Sequence, residues 1–503
     1  MPRPAPARSA PPPARTVPVR FLAAGPAPAD AAAADTVAAP LTWSQRYYLA
    51  EVDAARAHGR GLNVPRLYRL RAGTTEAGTA AALRELLERY EVLRSRVVRD
   101  EAGGAHQRVH TRGTLHLAVH EAPAGAADDH ARAVLGALAA PPLDVTECWP
   151  LRAALVTEEG HARYLALAFS HVAVDAFALV PVSAHLVERI AEADPVARTA
   201  PAPGAAPRGP REQAAAEASP AGERSARRAL RLAEEAYRRM PPAPRPVAGP
   251  PAGPRYRFLR HRSPALDLAV GAVAARTGES PATVLAAALI ALDAARTGPV
   301  PGDGTGTTRY GAVQLISANR LRPETAAAVL PLSQPVPCCV DTAGATFHEL
   351  VRLTAAASLR AFRAGGCPPD RLAALLRTVE EERGVRLDTT PALNYRPRST
   401  ALPVRPTTAA ELAAAQPRAV TEWTDADPWR ASHYLSADVD ADGIRLLLQV
   451  DTAVHPPEWA ERRTAALERL LCAAALDADH PALPEPDRPA QDADSPGPDL
   501  PVG

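Results

Sequence analysis

The sequence predicts a mixed α/β protein built from two ordered regions, and three observations carry that prediction. Leu165, Leu167 and Phe169 alternate with Ala166 and Ala168 in the stretch LALAFSHVAVDA, the pattern of a buried strand. Leu179, Val182, Leu186, Val187 and Ile190 then fall on one helical face, so strand passes into helix. Across residues 196–255 the composition shifts to Pro, Ala, Gly and Arg, which reads as a linker between a region at 41–195 and another at 256–476.

Taken in order, residues 1–40 read as a Pro/Ala-rich disordered tail, too poor in apolar side chains to offset the entropy of ordering. A helix begins at LTWSQRYYL, with Thr42 or Ser44 available as its cap. A strand is expected over 64–71 and a helix near 79–89, where Leu83, Leu86, Leu87 and Tyr90 stack at helical spacing. Strands at 95–99, 106–110 and 115–120, a helix near 127–139 and strands at 150–155 and 164–169 complete the first region. One helix, 223–239, interrupts the linker, and its Arg-rich face reads as surface. In the second region Ser263-Pro264 and Ser280-Pro281 are helix starts, an N-cap serine followed by proline at the first helical position. A strand at 310–316, another through Ile444, Leu446, Leu448 and Val450, and a closing helix at 457–476 follow. Residues 477–503 return to an acidic, Pro-rich tail.

Composition narrows the chemistry. The net charge is +1, so no global field attracts nucleic acid or an anionic membrane. The chain contains no lysine, which excludes a Schiff base and a P-loop. Gly302-Asp303-Gly304-Thr305-Gly306 is therefore a loop and not a phosphate cradle. The five cysteines, Cys148, Cys338, Cys339, Cys367 and Cys472, form neither a CxxC pair nor a disulfide framework, which fits a reducing cytoplasm. No apolar run is long enough to span a bilayer.

Several segments carry a resemblance. LTWSQRYYL, then RYEVLRS at 89–95, SHVAVDA at 170–176, SANRLRPE at 317–324 and PALNY at 391–395 occur in that order. Together they resemble the opening helix, RHExLRT, HHxxxDG, GRxRPE and FNY landmarks of the condensation domain of nonribosomal peptide synthetases, within the chloramphenicol acetyltransferase-like superfamily. The resemblance spans about residues 41–476. It implies two chloramphenicol acetyltransferase-like lobes arranged as a V around a central tunnel. It also implies acyl transfer: an amine or hydroxyl, free or carrier-bound, attacks an acyl thioester delivered on the phosphopantetheine arm of a separate acyl or peptidyl carrier protein. By the same resemblance His171 is the catalytic position, acting as base or positioning residue. Asp175 is a structural residue paired with an arginine, Arg320 first and Arg89 or Arg94 behind it. Ser170, Ala176 and Asn394 line the tunnel. No metal, covalently bound cofactor, nucleic acid or membrane partner is expected.

The chain departs from the pattern at three places. Ser170 replaces the first histidine, Ala176 replaces the glycine, and VLPLSQPVP at 329–337 keeps little of the family's GxFVNT segment. Alanine at 176 matters if the site needs a positive φ, which only glycine adopts freely. Alternative readings are therefore a non-catalytic condensation-like domain that recruits a carrier or tailoring enzyme, and an acyltransferase that uses acyl-coenzyme A directly.

Two metal-like patterns have plainer readings. Asp438, Asp440, Asp442 and Gly443 match the first half of a calcium loop, but Gln449 stands where the bidentate glutamate belongs, so a hairpin is expected. His106, His110, His116 and His120 lie on two strands, expected to be neighbours, without a carboxylate or cysteine grouped with them.

Overall fold

A computed structural model describes residues 13–23, 35–193, 207–244, 253–296, 300–301, 307–397, 402–425, 431–440 and 442–483. The first region runs β1 (Arg15–Leu22), β2 (Thr36–Pro40), α1 (Trp43–Arg56), β3 (Asn63–Arg69), α2 (Glu76–Arg89), β4 (Ser95–Arg99) and β5 (Ala105–His110). It continues through β6 (Arg112–Ala122), α3 (Ala127–Ala139), β7 (Leu151–Glu158), β8 (His161–Ser170) and α4 (Leu179–Arg189). Five strands form one sheet in the order β1-β6-β7-β8-β3, and β2-β5-β4 form a separate three-stranded sheet.

The tail expected over 1–40 is corrected where it is described. Val19 and Phe21 are buried and alternate with Pro18 and Arg20, so β1 adds to β6 as an amphipathic edge strand. Thr42 caps α1, its side chain accepting from the Gln45 amide while Gln45 returns a bond to the Thr42 amide. The stripe Gln45, Tyr48, Leu49 and Val52 is thereby aimed inward.

The expected linker also carries more structure than its composition suggests. It holds α5 (Pro210–Ala218) and α6 (Pro220–Arg239). Ala229, Ala233, Ala236 and Tyr237 of α6 are buried while Arg224, Arg227, Arg228 and Arg231 are exposed, so one face of the helix packs and its Arg-rich face lies at the surface as expected. α5 straps the two regions together. Glu217 accepts from the Trp43 amide at 2.7 Å, Arg211 pairs with Glu91, and Arg208 pairs with Glu324 at 3.0 Å.

The second region begins with β9 (Tyr256–Arg262), α7 (Pro264–Thr277), α8 (Pro281–Ala294), β10 (Val300–Pro301), β11 (Thr307–Thr308), β12 (Tyr310–Ser317), α9 (Pro323–Ala326) and β13 (Gln334–Asp341). It ends with α10 (Phe347–Ala364), α11 (Pro369–Arg383), β14 (Ala392–Pro397), α12 (Ala409–Ala415), β15 (Val420–Asp425), β16 (His433–Asp440), β17 (Gly443–Asp451) and α13 (Pro457–Leu476). Seven strands order as β13-β12-β14-β16-β17-β9-β15. Ser263 and Ser280 cap α7 and α8 as expected. Almost every side chain of α8 is buried, because it lies between the sheet and the other helices. The calcium-like run is a hairpin: β16 and β17 pair with Asp440 opposite Gly443, whose φ is 106°.

The second tail also starts later than expected. Pro481 bridges to Thr346 and Ala482 is fully buried, so packing continues past residue 477. Gly302–Gly306, expected as a loop, lies outside the described residues, as do the rest of both tails and parts of the linker. Among the described residues, no helix is long and apolar enough to cross a membrane.

Helix α8 sits directly on β12 at Gly311, where an added Cβ would stand 2.0 Å from the Ile290 carbonyl oxygen. Gly311→Ala should therefore destabilise the protein by about 1–3 kcal/mol through overpacking. Urea unfolding measures this, and an unchanged midpoint would mean that the helix shifts freely.

Candidate active site

Strand β8 is buried between β7 and β3 and delivers Ser170, then the turn His171–Ala178, then α4. The amides of Ala173 and Val174 donate to the Ser170 carbonyl at 2.9 and 3.3 Å, which winds the turn tightly. Ser170 is fully buried, and its hydroxyl accepts from the Val172 amide at 3.3 Å. Serine at this position thus shapes the backbone, and its expected role in lining a tunnel is corrected: a residue closing a buried strand has no face left for substrate.

His171 lies against α1. Its ring stacks on Tyr48 at 3.9 Å between centroids and 10° between planes. Its Nδ1 is buried with no hydrogen-bond partner, and the stack on Tyr48 helps to set the ring plane. Burial lowers the His171 pKa, while Asp175 and the nearby carbonyls of His171 and Val174 oppose the shift without reversing it. The imidazole is therefore neutral near pH 7. Tyr48 is held in turn by the Ser333 hydroxyl at 2.8 Å. Burial, with Asp175 nearby, raises its pKa well above the usual tyrosine value, so it stays protonated.

Asp175 binds Arg320, the first of the expected arginines. Nη1 and Nη2 of Arg320 donate to Oδ2 and Oδ1 at 2.9 Å each. The Ala178 amide donates to Oδ1 at 2.8 Å, and the amides of Leu332 and Ser333 both donate to Oδ2 at 2.9 Å. Burial alone would raise the Asp175 pKa, but the Arg320 charge and these donors overcome it and hold the carboxyl below its usual range. Arg320 spends further donors on the carbonyls of Ala318 and Leu330 at 3.1 and 2.8 Å. The Asn319 backbone just before it takes a φ of 52°, a left-handed turn suited to asparagine.

The other expected residues sort cleanly. Arg89 and Arg94 are not at the site: Arg89 lies over Tyr90, and buried Arg94 donates to the His110 carbonyl at 2.7 Å. Both leave α2 and its following turn toward other partners, which corrects their place behind Arg320. Ala176 is exposed and is not among the positive-φ residues, so no backbone strain attaches to the loss of glycine. Asn394 on β14 is partly buried and hydrogen-bonds Tyr434, whose hydroxyl lies in the electrostatic neighbourhood of Tyr48.

Two contributors escaped the sequence reading. Tyr48 is one: the helix start that holds it was read, but neither its burial nor its stacking partner was. The other is residues 328–333, overlapping the start of the segment 329–337 that keeps little of the family pattern; they bury Ala328, Val329, Leu330 and Leu332 in the core of the first region and offer two amides to Asp175. The histidine quartet also separates. His106 and His110 lie on β5 in the three-stranded sheet, while His116 and His120 lie on β6 in the five-stranded one, so these strands are not paired neighbours.

Replacing Asp175 by Asn should cost about 3–5 kcal/mol at pH 7, because it strands a buried guanidinium. The folded carboxyl titrates below the unfolded value of about 3.9. The stabilisation is therefore complete above that value and lost as pH falls through the folded pKa. Urea unfolding of parent and Asp175→Asn at pH 7 and pH 3 should show a wide gap that narrows in acid. Equal stability at pH 7 would overturn the lock.

Comparison with known proteins bears on the family and the fold. The family model described as "Condensation domain" matches residues 36–186. No curated protein matches the sequence. Among solved structures, one concerning condensation domain-mediated chain release from the enacyloxin polyketide synthase is 21% identical, with a TM-score of 0.62 over 89% of this chain and 84% of that one. The X-domain from teicoplanin biosynthesis is 20% identical, with a TM-score of 0.60 over 91% and 99% of the two chains. SgcC5 from Streptomyces globisporus is 19% identical, with a TM-score of 0.58 over 88% and 100%. Residues 36–186 thus carry the sequence pattern of the condensation-domain family, and the chain as a whole shares the fold of these condensation-domain structures.

Proposed function

We propose that this chain is a condensation enzyme of peptide-type natural-product biosynthesis, joining an acyl thioester to an amine or hydroxyl acceptor. The observation that supports it most directly is the neutral, partly accessible imidazole of His171, fixed by Tyr48 on one side and by the Asp175–Arg320 lock beneath its loop. The acceptor nitrogen or oxygen attacks the thioester carbonyl, a C–N or C–O bond forms and the C–S bond breaks. The acceptor's proton passes to His171 and then to the departing thiolate, leaving an amide or ester and a free thiol. A thioester is already activated, so placing the acceptor against it carries much of the acceleration. The resemblance assigns delivery of the thioester to the phosphopantetheine arm of a carrier protein.

A recruiting role is the second reading. Phe177 and Leu321, 46% and 70% exposed, flank the Asp175–Arg320 pair and offer an apolar surface beside the site. A similar fold, the X-domain from teicoplanin biosynthesis, has been solved in complex with OxyB.

Intact-mass assays with acyl-loaded carrier, acyl-coenzyme A and candidate acceptors distinguish the readings. His171→Ala should lower turnover by about 10² to 10⁴-fold if the imidazole acts as base. Turnover from coenzyme A alone would redirect the proposal to an acyl-coenzyme A-dependent transferase, and carrier binding without any turnover would favour recruitment. Because burial lowers the His171 pKa, the base form persists below the ordinary value of about 6.5. The acidic limb of kcat/KM should accordingly fall below that pH, and a limb above it would count against His171 as base.

A further inference from the structure

On β16, Tyr434 hydrogen-bonds Asn394 of β14, and its neighbour His433 points to the opposite face of the strand. There His433 and His455, 7% and 3% exposed, meet edge to face at 5.0 Å between ring centroids. His455 also stacks on Trp459 at 3.8 Å. Asp388, in the segment that leads into β14, completes a group. One ligand atom from each of Asp388, His433 and His455 lies within 4.8 Å of the others. The Nε2 of His455 is buried and has no hydrogen-bond partner. An unpaired buried imidazole nitrogen is costly unless something binds it.

We propose that Asp388, His433 and His455 form a binding site for a divalent cation of the zinc class. Two imidazoles and a carboxylate are the three-ligand set that zinc accepts, with a fourth position open. Calcium and magnesium demand more oxygen ligands than these residues offer. The carboxylate is oriented as a ligand should be: Oδ1 accepts from the Thr390 amide at 3.0 Å and from its hydroxyl, and Oδ2 accepts from the Ser432 hydroxyl. Ser432 also reaches His433 Nδ1 at 3.2 Å, tying carboxylate to imidazole. Two arginines, Arg463 and Arg296, lie close enough to act electrostatically on both histidines. Arg296 is paired with Asp293 at 2.7 Å, and Arg463 lies over Trp459 at 5.1 Å. The remaining positive charge moderates cation affinity and favours an anionic fourth ligand.

The three ligands come from the approach to β14, from β16 and from the turn before α13, so a bound ion would pin these elements at one point. The opposite face of β16 carries Tyr434, which holds Asn394 of β14. The ion would brace the β14–β16 strand pair from the His433 face.

Tag-free full-length protein, stripped with a chelator and dialysed, should bind one equivalent of Zn²⁺ in calorimetric titration and melt higher with it. Cobalt(II) at the same site should give the strong visible absorption of a low-coordinate N/O complex. His455→Ala and Asp388→Asn should each weaken Zn²⁺ binding at least about tenfold. His116→Ala, on an exposed residue of β6, should leave it unchanged. No saturable binding by the parent overturns the site. If His455→Ala fails to fold, the partly exposed Asp388→Asn decides: parental affinity and cobalt spectrum in that variant also overturn it.

Discussion

The buried carboxylate of Asp175 is the interaction on which the rest of this site depends. An ionised group taken out of water needs its full set of donors, and here these come from three places: the two guanidinium nitrogens of Arg320, the Ala178 amide, and the amides of Leu332 and Ser333. Only the Ala178 amide is local. The others arrive from the second region, so the loop bearing His171 acquires its shape when the two halves of the chain come together.

That dependence explains how the departures from the family pattern are accommodated. Ser170 supplies a turn-shaping hydroxyl in a place closed to solvent. Ala176 follows Asp175 without positive φ, so the missing glycine leaves no strain. The segment 328–333 keeps its task through backbone amides and small apolar side chains, which many sequences can supply. What must be kept is the charge pair and the ring of Tyr48, since a stacked aromatic face and a bidentate arginine have few substitutes.

The same strand serves two faces of the second region. Tyr434 of β16 bonds Asn394 on one face, and His433 turns into the aromatic cluster with His455 and Trp459 on the other. Strap helix α5 acts in the same direction from outside. It ties the start of α1, and hence Tyr48, to the segment after Arg320 through Glu217, Arg211 and Arg208. The position of one imidazole therefore rests on contacts from both regions and from the stretch between them.

Periodicity and capping chemistry were enough for the local elements. The strand before Ser170, the serine caps of α7 and α8, the helix Ala127–Ala139 and the closing helix Pro457–Leu476 could all be read from apolar spacing and cap residues. His171 and its Asp175–Arg320 pairing were legible because ordered landmarks could be compared with a family. Composition misled where packing overruled it: Val19 and Phe21 make a strand within a Pro-rich tail, and α6 buries alanines within a Pro-rich linker. The stacking of Tyr48 on His171, the two amides from residues 332 and 333, and the meeting of Asp388, His433 and His455 belong to the tertiary structure alone. Each joins residues far apart in sequence, and periodicity reports which face is buried but never what it is buried against.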